Sequence, residues 1–375
     1  MDPFPGPHVD HKIRGSDERL GVMSAKANPV CKSRPRTAAS TRGSWLVGSV
    51  AGAVLACVGN TVSQAQTAPS KALRPPALAS HVMTYHEGMR RVVVFGGSNA
   101  RRTFSNALWA WDGVRWTVLA QDGPQPRIHA ALAYDSGRNR LVLHGGIQNR
   151  EFSFGDTWEW DGEAWERRAL SDEGPGIRDH HTMVYDRKRG VTVLFGGQDA
   201  DDAYPPETWT WDGKRWQRVA AAGPAPRGTH RLVYDGVRER VMLFAGWNDD
   251  GQLDDTWEWD GSRWLAFESP GPSARGATRL AYDVARKQVV LFGGLVERQA
   301  NDETWVRHGT EWQRRVLAGP PARNVHGMAY DALRQRVVVF GGLGAEGRLD
   351  DVWEWDGTNW IEVLPASAAS PEARR

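Results

Sequence analysis

Asp255-Thr-Trp-Glu-Trp-Asp-Gly-Ser-Arg-Trp264 is the stretch that decides the fold. It recurs as Asp156–Trp165, Glu207–Trp216, Glu303–Trp312 and Asp351–Trp360, and more loosely as Ala107–Trp116. A second block precedes each copy. In the third it reads Arg178-Asp-His-His-Thr-Met-Val-Tyr185-Asp, followed by Val-Thr-Val-Leu-Phe-Gly196-Gly197. A chain that repeats at a fixed interval is read for its repeat first. Six tyrosines mark the interval here: Tyr85, Tyr134, Tyr185, Tyr234, Tyr282 and Tyr330.

Each unit holds four short segments of strand character. The first ends at the tyrosine, the second at the glycine pair, the third carries Trp-x-Trp, and the fourth starts at the last Trp. β-Branched and aromatic content and the period-2 placement of the tryptophans favour strands over helices. Tyr-Asp-x-x-Arg reads as a turn, with Asp as its local acceptor. Trp-Asp-Gly-x-x-Trp reads as a hairpin, with Asp-Gly supplying the positive φ. One four-stranded sheet cannot bury both its faces alone. Six stacked around an axis can, and they leave only short edges. The expectation is an all-β, six-bladed β-propeller with repeats at about 75–119, 124–170, 175–220, 224–268, 272–317 and 320–364, and a tail at 366–375.

Composition narrows the function. The 375 residues carry 47 Lys and Arg against 45 Asp and Glu, a net charge of +2, so no nucleic-acid or anionic-membrane signal is present. Seventeen of the 19 tryptophans lie in the repeated blocks, leaving Trp45 and Trp247. Both cysteines, Cys31 and Cys57, precede the repeats, which therefore hold no disulfide, thiolate metal site or cysteine nucleophile.

Residues 1–65 read as a polar leader plus an export signal. The apolar core at 45–58 is too short to span a bilayer comfortably. Arg34, Arg36 and Arg42 flank it, and Ser63-Gln-Ala65 is a small-x-small cleavage site. The mature propeller is then 66–365, secreted, periplasmic or at the cell surface. Val54-Leu-Ala-Cys57 also resembles a bacterial lipobox, which makes a lipid anchor at Cys57 the alternative.

Arg-x-x-His, an apolar strand, Gly-Gly, Asp-Thr-Trp and a final Trp together resemble the kelch repeat, over about 75–364. Departures are few. Unit one has Leu78 for the arginine, unit four has Ala245-Gly246 for the glycine pair, and unit five has Trp305-Val-Arg-His308-Gly309. The family includes galactose oxidase, whose copper chemistry uses a cysteine cross-linked to a tyrosine. With no cysteine after Cys57, that chemistry is excluded here. It also includes a periplasmic sialic acid mutarotase, which makes a carbohydrate-active enzyme the alternative function.

In an up-and-down blade the loops after strand two and between blades share one face, and the tight turns share the other. The variable loops are Ser98–Ala107, Ile147–Gly155, Gln198–Pro206, Trp247–Leu253, Leu295–Asp302 and Leu343–Leu349, so binding is expected on their face. Arg127, Arg178, Arg227, Arg275 and Arg323 start the inner strands there, with His181, His230 and His326 three residues on. Such a ring suits a carboxylate or acidic sugar. The competing role is holding neighbouring blades together, and regular repetition favours it. Trp247 breaks the repeat and, with Tyr204, Phe104, Phe152 and Phe154 nearby, suits stacking on a sugar or anchoring a protein. Asp199, Asp201, Asp202, Asp249 and Asp250 match no established calcium spacing. The expected function is a monomeric exported binding scaffold for a protein or extracellular glycan, with no cofactor, metal or catalytic residue assigned.

Overall fold

In the computed structural model the described residues are 73–149, 152–268 and 270–367. The leader, both cysteines, Arg150 and most of the tail lie outside them. The described residues form six four-stranded antiparallel sheets and one two-stranded hairpin at Leu295–Val296 and Gln299–Ala300. Each sheet is one unit of the sequence, in chain order from the inner strand to the outer. Blade one comprises Val82–His86, Arg91–Phe95, Leu108–Trp111 and Trp116–Ala120. The inner strands of blades two to six are Ala131–Asp135, Thr182–Asp186, Arg231–Asp235, Arg279–Asp283 and Gly327–Asp331.

The turns form as their residues dictate. In Trp-Asp-Gly the Asp112 carboxylate accepts the N–H groups of Val114 and Arg115, both at 2.9 Å, and Gly113 takes φ 98°. In Tyr-Asp-x-x-Arg the Asp135 carboxylate accepts the Arg138 N–H at 3.0 Å. The tyrosines do more than mark the repeat. The Tyr134 hydroxyl accepts the Gly88 N–H of the preceding blade's turn at 3.2 Å, and Tyr234 and Tyr330 do the same for Lys188 and Ala285. Tyr85 accepts the Leu333 N–H, which joins blade one to blade six.

The core lies between blades. Val338, Phe340 and Val352 of blade six pack with Leu78, Val92, Val94 and Trp111 of blade one. In blades two, three and five the threonine before Trp-x-Trp accepts an indole N–H from the next blade: Trp216 to Thr157, Trp264 to Thr208 and Trp360 to Thr304, each at 2.8 Å. Such bonds satisfy a donor that would be costly to bury unpaired.

The blades alternate in pairs, which the sequence reading did not anticipate. Blades two, four and six extend their second and third strands into long hairpins on the loop face: Arg140–Asn149 with Phe152–Trp160, Arg240–Asn248 with Gly251–Trp259, and Arg336–Gly344 with Gly347–Trp355. The same blades carry Glu159, Glu258 and Glu354 between their paired tryptophans. Each glutamate is buried and receives a donor from the following blade. Trp211 donates to Glu159 at 2.8 Å and Trp111 to Glu354 at 3.4 Å. In unit five Arg307 stands where Trp111 and Trp211 stand, and it reaches Glu258 at 3.5 Å. The departure in unit five is thus a change of donor to the same buried acceptor.

Candidate functional site

The five repeat arginines are buried to 3 % exposure or less. Arg127 pairs with Asp156 at 2.7 Å and donates to the Gly145 carbonyl at 3.0 Å. Arg323 pairs with Asp351 at 2.7 Å and Arg275 with Glu303 at 2.8 Å. Arg178 meets Glu207 at 3.4 Å, and Arg227 donates to Asp255 at 2.7 Å. The same carboxylates accept the first indole of their own Trp-x-Trp, as with Trp158 on Asp156 at 2.7 Å. Each arginine therefore ties the segment entering the inner strand to the acid two residues before the first Trp of Trp-x-Trp in its own blade. Its neighbouring charge and hydrogen bonds hold the Asp156 carboxyl below the usual carboxylate range, although burial opposes this. In blade one Leu78 replaces the arginine and Ala107 replaces the acid, and the pair packs in an apolar cluster.

His81, His181, His230 and His326 are buried between blades. The Thr182 hydroxyl and His230 Nε2 lie 2.9 Å apart across blades three and four. Burial pushes the His81 imidazole down to about 4 and the other three well below 6.5. They are neutral at physiological pH and present no cationic surface.

One residue before this histidine position, each blade places a residue in the left-handed region: Ser80, His129, His180, Thr229, Ala277 and Val325, at φ 45° to 60°. Their backbones form a closed hydrogen-bonded circuit. His129 donates to Ser80 at 3.2 Å, His180 to His129 at 3.1 Å, Thr229 to His180 at 2.9 Å and Ala277 to Thr229 at 3.1 Å. Val325 donates to Ala277 at 3.4 Å and Ser80 to Val325 at 2.9 Å. Six non-glycine residues held at positive φ carry strain, which the interblade bonds offset.

This circuit surrounds the loop-face end of a central cavity of about 120 Å³. The His129 and His180 rings stack there at 3.8 Å, and His180 contacts the Asp179 carboxylate. Arg231 and Arg279 also line the cavity. Arg231 donates to the carbonyls of Thr278 and His230 at 2.9 and 2.8 Å, and Arg279 donates to Thr278 at 3.0 Å. Burial pushes the Arg231 guanidinium down to about 9.

The aromatic candidates lie in the same sector. A Cβ on Gly228 would come within 3.2 Å of the Tyr204 ring and 3.3 Å of the His180 Cβ, and one on Gly276 within 3.8 Å of the Trp247 ring. Gly228 in blade four thus leaves room for the Tyr204 ring of blade three, and Gly276 in blade five for the Thr229 hydroxyl, whose Oγ would lie 2.9 Å from a Cβ there. Both aromatics are half-buried, and the Arg298 guanidinium lies 5.4 Å from the Trp247 ring centre. Phe152 is exposed, whereas Phe154 lies beneath Arg127 at 3.9 Å. The Asp199 carboxylate accepts the N–H groups of Asp201 and Ala203 within its own loop. Among the described residues no group of three or more His, Cys, Asp or Glu is placed to hold a metal ion.

The structure therefore brings Trp247 and Tyr204 to one sector of the loop face and draws the five arginines and three histidines into the blades. Sequence reasoning missed Arg231 and Arg279. Their signal was a departure from the repeat, since the other units carry Val82, Ala131, Thr182 and Gly327 at that position. No protein-family model matches the chain, and no curated protein matches it in sequence. The class is defined by the fold: a six-bladed β-propeller of four-stranded antiparallel blades.

Proposed function

We propose that this chain is an exported kelch-type propeller that serves as a binding scaffold for a protein or extracellular glycan, engaged through the loop face. One observation carries the reading. The tight-turn face repeats the same Tyr, Asp, Arg and Gly contacts from blade to blade, while the loop face gathers nearly all the variation. Three long hairpins project on that face, alternating with irregular loops, and Trp247 and Tyr204 sit among them. A half-buried Trp under a guanidinium offers a large rigid contact area at little entropic cost. The export signal and the alternative anchor at Cys57 rest on the sequence of the first 65 residues alone.

The test is a thermal-shift screen of the protein against neutral and acidic sugars, with capture of surface-associated proteins in parallel. A ligand at a hundredfold excess over its Kd raises stability by about 2.7 kcal/mol. A selective shift or a captured partner, lost in Trp247→Ala, supports the reading. Binding that survives Trp247→Ala and Tyr204→Ala together would place recognition elsewhere.

A further inference from the structure

Among the described residues six arginines are buried to 3 % exposure or less, namely the five repeat arginines and Arg307, and every one has a carboxylate partner. Arg231 and Arg279 differ. They are part-buried, they line the central cavity, and no carboxylate among the described residues pairs with either. Both guanidiniums donate to the same Thr278 carbonyl, which holds the two positive charges side by side. Arg231 Nη2 and Arg279 Nε and Nη2 have no protein acceptor among the described residues. Among the described residues no Asp or Glu lines the cavity. The Thr229 hydroxyl lines it as well, is buried to 9 % exposure, and has no hydrogen-bond partner among the described residues.

Two adjacent cations without a counter-charge are unfavourable in a partly desolvated cavity. The arrangement becomes favourable when an anion accepts the idle N–H groups, because charge-assisted bonds to guanidinium are among the strongest a protein makes. We infer that the axial cavity is a binding site for a compact oxoanion, a carboxylate or an inorganic anion, held by Arg231 and Arg279 with the Thr229 hydroxyl as a further donor. A cavity of about 120 Å³ accommodates such a group with several waters. The stacked His129 and His180 rings form the wall in blades two and three. Burial, with Arg231 nearby, holds the His129 imidazole well below its ordinary value.

The experiment is calorimetric and thermal-shift titration of the whole protein with sodium acetate, sulfate and phosphate, against chloride at constant ionic strength and pH 7.5. At least one of the three gives saturable binding, and acetate against the inorganic anions distinguishes an organic carboxylate ligand from an inorganic one. Arg231→Met and Arg279→Met each weaken that binding tenfold or more, while Arg231→Lys retains part of it. Circular dichroism confirms that each variant folds, and Arg279→Met decides the matter if Arg231→Met does not. Absence of saturable binding by all three anions, or unchanged affinity in a folded Arg279→Met, would overturn the inference.

Discussion

The backbone N–H of Ser80 donates to the carbonyl of Val325 at 2.9 Å, and this bond completes a circuit that five other blade-to-blade bonds began. Propellers often close by sharing a blade between the two ends of the chain (an interlock that resists opening). Here the described residues give each end a whole blade, and closure rests on contacts between blades one and six. The Tyr85 hydroxyl, the Leu78 carbonyl accepting the Gly342 N–H at 2.8 Å, and the Arg74–Asp350 ion pair at 2.8 Å add to the Ser80 bond.

Ser80→Pro removes the closing donor and forces φ to about −65°, where the native value is 60°. The expected loss is about 3 kcal/mol or more by urea unfolding, whereas Ser80→Gly, which tolerates positive φ, changes stability little. Equal stability of the two variants would show that the circuit does not hold the ring.

Leu78 and Ala107 replace an ion pair with an apolar contact. Leu78 is fully buried, so Leu78→Ala is expected to cost about 2–5 kcal/mol. Leu78→Arg costs at least as much, because it buries a charge with no acid beside it. Adding Ala107→Asp to Leu78→Arg recovers part of that loss. A double variant no better than the single would mean that the two positions do not meet as in the other blades.

Trp259 is 1 % exposed between blades, and Trp247 is half-buried at the loop face. Trp259→Ala is expected to destabilise the protein by about 3–5 kcal/mol. Trp247→Ala acts mainly on partner binding and lowers stability less. Chemical denaturation of both variants gives the comparison, and a larger loss for Trp247→Ala would assign that residue to the frame.

Buried imidazoles set a pH limit. His81 and His144 have pKa values pushed down by burial to about 4 and about 3 in the folded chain, against an ordinary 6.5. Below pH 6.5 the unfolded chain takes up protons that the folded chain refuses. Stability is therefore full above pH 6.5 and falls as pH drops toward 4, by up to ~3 kcal/mol from His81 alone. The carboxyls of Asp156, Asp255 and Glu303, held below their usual range, extend the loss to lower pH. His144 occupies the position of Phe95, Phe195, Phe244, Phe292 and Phe340. His144→Phe should flatten the decline, measured as melting temperature from pH 7.5 to 4.5. A melting temperature that is flat in the parent protein over this range would contradict the assignment.

The repeat, the strands and the two tight turns were legible in the sequence because each depends on residues close together in the chain. Period-2 patterning selects strands, and Asp-Gly or Tyr-Asp selects a turn within four or five residues. The propeller followed, since a unit of one four-stranded sheet needs neighbours on both faces. The candidate site was only partly legible. Trp247 was found because it breaks the repeat. The repeat arginines also drew notice, yet the carboxylate that claims each guanidinium stands 28 or 29 residues further on. Arg231 and Arg279 depart from the repeat, but nothing local shows that this inner-strand position borders the axis. Tertiary structure alone decided ring closure, the pairing of blades in twos, and the two cations left at the centre without an acid. All three depend on contacts between different blades, where packing and charge are set by residues far apart in the chain.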